Sequence, residues 1–147
     1  MPRGEYANVE HAAIEIIRAA EQARGWEVGP QLGQRAQRKA GCDLLSTPPG
    51  GGPPHPVEVK GWGAPLIAAE DSFSYPAEVN GEQYCRAKQD PNWRLEIVAN
   101  LTAFLAGTGQ PERLTLTGTE VVERAYPRLY RVTLDGLADR VTGGQKG

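Results

Sequence analysis

Between Cys42 and Lys60 the chain carries the run Pro48-Pro49-Gly50-Gly51-Gly52-Pro53-Pro54. Proline removes the backbone donor and fixes its own φ, and glycine loses the most freedom on ordering, so this run can only be a loop. Before it, Cys42-Asp43-Leu44-Leu45-Ser46 reads as a strand entering the core. After it, Val57-Glu58-Val59-Lys60 alternates apolar and charged residues with the period of a half-buried strand. Two strands joined through one loop predict a hairpin with a long tip.

Around the hairpin the pattern changes to the helical period. Asn8 is suited to cap a helix running to Arg24, with Glu10 in its first turn and Gly25 as its stop. Val9, Ala13, Ile16, Ile17, Ala20 and Ala23 form its core stripe. Trp26-Glu27-Val28 reads as a short strand closed by Gly29-Pro30, and residues 31–41 as a polar, basic loop. Residues 61–77 read as irregular. A second helix is expected from about Ala77 to Lys88, ended by Asp90-Pro91, and then a strand over Trp93–Ala99. Further along, Leu114–Leu116 reads as extended, Thr119–Ala125 as a short helix and Leu129–Leu134 as a strand, with a disordered tail over 142–147. Strands gathered between helices indicate an α/β fold, a mixed sheet covered by helices.

The 147 residues fit one domain, with its core at about 8–135. No apolar run approaches the roughly 20 residues that span a bilayer. The first residues lack the layout of a signal peptide, so a cytoplasmic location without membrane contact is expected. Cys42 and Cys85 stand far apart, which argues against a disulfide framework, and with His11 and His55 they make no zinc pattern. A formal charge of −2 and a pI near 5.7 exclude binding to nucleic acid through the overall field. Such contact would need a local patch or a partner.

Two carboxylates and a lysine converge in this scheme. Phosphodiester hydrolysis calls for a cation such as Mg²⁺, which is held by one or two carboxylates together with substrate phosphate. Asp43 and Glu58 on paired strands would oppose each other at about 5 Å. Glu58 and Lys60 would project from one face about 7 Å apart, leaving Val57 and Val59 to the core. The same Glu-Val-Lys alternation also suits an ordinary solvated strand face, and spacing alone does not separate the two readings.

Gly41-Cys42-Asp43-Leu44, a variable hairpin and Val57-Glu58-Val59-Lys60-Gly61 resemble the signature of the PD-(D/E)xK nuclease superfamily. Within it the chain resembles the domain at the C-terminus of the plant NO VEIN protein, which also occurs in bacterial helicase-like and restriction-associated proteins. Glu10-His11-Ala12-Ala13-Ile14 and Gly25-Trp26-Glu27-Val28 match its opening helix and the step after it. Gly81-Glu82 stands where that family has Asn-Glu opening a helix, and Trp93 to Val98 matches its next strand. The likeness covers roughly residues 8 to 100 and departs at the Gly/Pro-rich tip.

The resemblance implies a restriction endonuclease-like fold with an α-β-β-β-α-β core, and a nuclease dependent on Mg²⁺ or Mn²⁺ that cuts DNA rather than RNA. It implies Asp43, Glu58 and the Val59 carbonyl as metal ligands and Lys60 as the cation that activates water. Glu10 matches the family's first-helix acid, with Glu15 as its rival, and Glu82 or Gln83 faces the site from the second helix. A helicase or restriction-system protein is one expected partner, and dimerisation of the chain to complete a groove is another. The alternative is a catalytically silent module that binds nucleic acid or protein on the same scaffold. Outside the triplet, Arg35, Arg38 and Lys39 read as a solvated run, with phosphate contact as the alternative. Trp62, Phe73, Tyr75 and Tyr84 read as core, with stacking on unpaired bases as the alternative. His11 and His55 read as surface residues.

Overall fold

The computed structural model describes residues 8–70, 72–126 and 131–144. Helix α1 (Val9–Ala23) starts at Asn8, whose side chain accepts a 2.8 Å hydrogen bond from the His11 amide, and stops before Gly25 at φ +86°. Its buried face comprises Ala12, Ala13, Ile14, Ile17 and Glu21. Against the expected stripe, Ile14 and Glu21 are buried and Ala23 is exposed. Glu21 goes inward because arginine lies beneath it.

Strand β1 (Glu27–Val28) is followed by helix α2 (Gln34–Ala40), where a loop was expected. No α2 residue is buried, so there was no apolar period to read. One local and one tertiary bond fix it instead: Gln37 Nε2 donates to the Leu32 carbonyl, and Arg86 Nη2 donates to the Lys39 carbonyl, both at 2.7 Å. Gly41 closes it at φ +66°, tight against Arg86, and its carbonyl accepts from Trp93 Nε1 at 2.8 Å.

Strands β2 (Leu44–Thr47) and β3 (His55–Gly61) pair antiparallel across the Pro/Gly loop, as expected. Then come β4 (Ile67–Ala69), β5 (Ser72–Phe73) and β6 (Ala77–Glu78), three short strands within a stretch read as irregular or helical. Helix α3 therefore begins later than expected, at Gly81–Gln89, behind a capping box between Asn80 and Gln83. Strand β7 (Arg94–Ala99), helix α4 (Leu101–Ala106), strand β8 (Glu112–Thr117) and helix α5 (Gly118–Arg124) follow. The chain continues through β9 (Ala125–Tyr126), β10 (Arg131–Val132), a 3₁₀ turn at Ala138–Arg140 and β11 (Thr142–Gly143). Part of the strand expected over Leu129–Leu134 lies outside the described residues. The expected disordered tail is corrected at residues 142–143, which pair with β8; residues 145–147 lie outside the description.

The main sheet is mixed, in the order β1-β2-β3-β7-β8-β11, with β3 and β7 parallel and the other pairs antiparallel. Helix α3 lies in the crossover between its two parallel strands. One face packs on α1 through Leu44, Val57, Val59, Val98 and Leu101. The other holds a core of Trp93, Leu95, Ile97, Leu114, Leu116 and Val121. Register places Glu58 opposite Leu95 and Lys60 opposite Ile97, so this second face also carries the two charged residues of β3. Two small sheets, β6-β10-β9 and β4-β5, complete the fold. Among the described residues no helix is long and apolar enough to cross a membrane.

Candidate functional site

Asp43 sits just before β2, and its amide donates to the Val57 carbonyl at 2.9 Å. Its carboxylate reaches across the strand gap, where Oδ2 accepts from the Val59 amide at 2.8 Å. That bond aims the acid at β3, beside Glu58. Burial leaves Asp43 only 6% and Glu58 only 4% exposed. Interaction between the two carboxyls lowers Asp43 and raises Glu58. Lys60 Nζ lies 3.1 Å from Glu58 Oε2. Asp43, Glu58 and Lys60 thus come together as the sequence suggested, and the Val57 and Val59 side chains fill the α1 face as expected.

The electrostatics are unbalanced. Loss of solvent pushes the Glu58 carboxyl up to about 8, with the charge of Asp43 adding to the rise and that of Lys60 opposing it. Asp43 is also raised, chiefly by burial, against the help of the Val59 amide and Lys60. Cys42 lies beside the pair, and burial lifts its thiol to about 11, which makes it an inert core group.

The first helix brings its acid close. Glu10 is exposed, yet its charge is felt at Asp43, which it raises. The approach depends on Gly61, where a Cβ would stand 2.9 Å from the Val9 carbonyl oxygen and 3.0 Å from the Ala13 Cβ. Glu15 is engaged elsewhere, 3.0 Å from Arg18, whose Nε donates to the Gly29 carbonyl.

Two pockets flank the Glu58–Lys60 pair. One of about 80 Å³ is lined by Gln37, Arg38, Glu58, Asn80, Glu82 and Gln83. It gathers residues from α2 and α3, including both candidates on the second helix and one from the basic run. Arg35 and Lys39 do not line it. The other, of about 500 Å³, is lined by Lys60, Gly61, Trp62, Tyr75, Pro76 and Glu78.

The aromatics divide. Trp62, Phe73 and Tyr84 pack partly buried against the core, whereas Tyr75 is 50% exposed, which corrects its reading as core. His55 is half-buried with its ring edge-on to Trp26 at 4.8 Å, and His11 is also half-buried, so neither is a plain surface residue. Sequence reading missed Gln37 and Asn80 as pocket residues. The capping spacing Asn80-x-x-Gln83 was a signal for the second.

Comparison of the chain with models of protein families, with curated proteins and with solved structures finds no match. The site is therefore read from its own chemistry. Among the described residues no three His, Cys, Asp or Glu side chains gather as a metal-holding group. A hard divalent ion of the magnesium kind takes one or two carboxylates and fills its remaining positions with water and substrate phosphate. Two buried, under-compensated carboxyls fit that donor set. A cation held there would offset the loss of solvent that raises both carboxyls.

Proposed function

We propose that this chain is a divalent-cation-dependent phosphodiesterase acting on nucleic acid, DNA before RNA. The observation that carries the reading is the convergence of Asp43, Glu58 and Lys60 on one sheet face, with Glu58 buried and short of positive charge. The order α1, β1, β2, β3, α3, β7 supports a restriction endonuclease-like core, with α2 and β4 to β6 as insertions.

Asp43, Glu58 and the Val59 carbonyl would hold Mg²⁺ or Mn²⁺. The bound cation would supply charge stabilisation at the phosphate and lower the pKa of water. Lys60 donates toward the incoming water or the developing phosphate charge, and its contact with Glu58 fixes where its ammonium stands. The Val59 amide orients Asp43 and satisfies one of its oxygens. Glu10 adds negative field at the Asp43 end, favouring a cation there. Arg38 brings a positive group to the adjoining pocket, in reach of a phosphate rather than of the reacting bond.

The same features also support a silent binding module, because few cations line the two pockets: Lys60 in one and Arg38 in the other. Incubating the protein and its Lys60→Ala variant with plasmid and single-stranded DNA, in Mg²⁺, Mn²⁺ or EDTA, separates the readings. Metal-dependent cutting is expected, with Lys60→Ala reducing it by about 10²–10³-fold. An equally active variant overturns the role given to Lys60. No cutting with either metal, alongside retained DNA binding, favours the silent module.

A further inference from the structure

The described chain exposes two large aromatic side chains, Tyr75 (50%) and Tyr126 (47%); Tyr75 shares a pocket with Lys60, and Tyr126 shares the next one with Tyr75. Tyr75 and Pro76 form the wall between two neighbouring pockets. The pocket of about 500 Å³ contains Lys60 and Trp62, and one of about 260 Å³ contains Tyr126, Thr133 and Leu134. Lys60 and Trp62 are two residues apart on an extended segment, since the Trp62 amide continues the ladder by donating to the Val98 carbonyl at 2.9 Å. Their side chains therefore stand on one face, about 7 Å apart. Trp62 meets Tyr75 edge-on, ring centroids 5.3 Å apart at 84°, so that the edge of one ring covers one face of the other. The result is a line of chemistry from an ammonium group to three rings.

Packing against the core explains Trp62 but not the two tyrosines. An exposed tyrosine contributes little to a core, and two of them bordering consecutive pockets leave ring surface facing solvent. The charge of the chain points the same way. Duplex binding draws on many phosphate contacts from Lys and Arg, and a chain of net charge −2 is poorly supplied for that. Stacking on aromatic faces tolerates any base, requires that the bases be unpaired, and works together with a cation that tracks the backbone, here Lys60 beside Glu78.

We propose that the Trp62–Tyr75–Tyr126 wall is a stacking track for unpaired nucleotides, so that the substrate is single-stranded or frayed nucleic acid, fed to the site with a phosphate at Lys60. This specifies the substrate class for the phosphodiesterase reading and shares Lys60 with it. Successive bases occupy the two pockets on either side of Tyr75. The strand leaves the site along Tyr126.

The test is binding, measured by fluorescence anisotropy in EDTA, of a labelled 12-nucleotide DNA single strand and of the blunt duplex of the same sequence. The intact chain is expected to prefer the single strand. Tyr75→Ala should weaken single-strand binding by about 5- to 150-fold, with Tyr126→Ala acting in the same direction. Tyr75→Phe, which keeps the ring and loses the hydroxyl, should bind like the unaltered chain and shows whether position 75 tolerates change. Equal loss on single strand and duplex, or no loss in Tyr75→Ala, overturns the track. Because these arms contain no metal, they do not depend on cutting. Tyr75-dependent binding by a protein that never cuts would keep the track and remove the nuclease, whereas cutting of duplex unaffected by Tyr75→Ala would do the reverse.

Discussion

Opposite faces of one sheet bury two pairs of acids and treat them in opposite ways. On the α1 face, Glu21 and Glu96 are both 0% exposed. Glu96 Oε1 accepts from Arg113 Nε at 2.9 Å and Thr115 Oγ1 at 2.7 Å, and Oε2 accepts from Arg94 Nε at 2.8 Å and Arg113 Nη2 at 3.1 Å. Glu21 pairs with Arg24 and Arg94, and the Arg24 guanidinium lies 3.8 Å over the Trp26 ring. On the other face, Asp43 and Glu58 have each other, one backbone amide and one lysine. Burying a charge costs several kcal/mol unless partners replace water. The first pair is saturated with arginine and acts as a strut between α1, β7 and β8. The second has one cationic partner, Lys60, and burial raises both of its carboxyls, which supports its reading as a site.

Breaking the strut should have the largest effect. Glu96→Ala strands Arg94 and Arg113 around an empty position, and a loss of about 3–5 kcal/mol is expected. In thermal denaturation that is a Tm drop on the order of 10 °C. An unchanged Tm would mean that the arginines do not need this acid.

On the other face the same kind of change should do the opposite. Glu58→Gln removes an acid whose ionisation burial opposes, so in EDTA at pH 8 or above the variant should match or exceed the unaltered chain, by roughly 1–3 kcal/mol. The sign follows from proton binding. The folded chain holds the Glu58 proton up to about 8, whereas an unfolded one releases it near 4.5. The contribution of Glu58 is therefore fully present below about 4.5 and is lost as pH rises through about 8. Urea unfolding at pH 4.5, 6.5 and 8.5 should show a decline that Glu58→Gln flattens, leaving the smaller part due to Asp43. Identical pH slopes would remove the contrast between the faces.

The smallest effect belongs to an exposed pair that is neither strut nor site. Glu120 caps α5 and pairs with Arg140, whose guanidinium holds its carboxyl down to about 2. That support is present above the usual carboxylate pKa of 4.5 and is lost as pH falls toward 2. Arg140→Ala should cost about 0–1 kcal/mol at neutral pH and steepen acid unfolding below pH 4.5. A loss as large as that of Glu96→Ala would show that exposure does not divide these groups.

The strands of the hairpin, α1 and β7 were legible because alternation, caps and the Pro/Gly run are local signals. The site triplet was legible for the same reason, since two strands facing each other fix which side chains meet. Helix α2 was not, because nothing in Gln34–Ala40 carries an apolar period and its distant anchor, Arg86, is supplied by tertiary structure. Nothing local marks Glu21 for burial, because its partner Arg94 stands far along the chain. Tyr75 read as core among other aromatics, since sequence shows a ring but not which rings the core has room for. Between Glu10 and Glu15, only the docking of α1 on β3 chose.

That docking turns on Gly61, and it makes the site adjustable from outside its own chemistry. Backbone meets backbone there, so even one methyl group must push the first turn of α1 away from β3. Glu10 rides on that turn, and its field is felt at Asp43. A residue with nothing to ionise thus works as the spacer that tunes an acid, and lengthening the spacer by one carbon would be read out as a change in the acidity of Asp43.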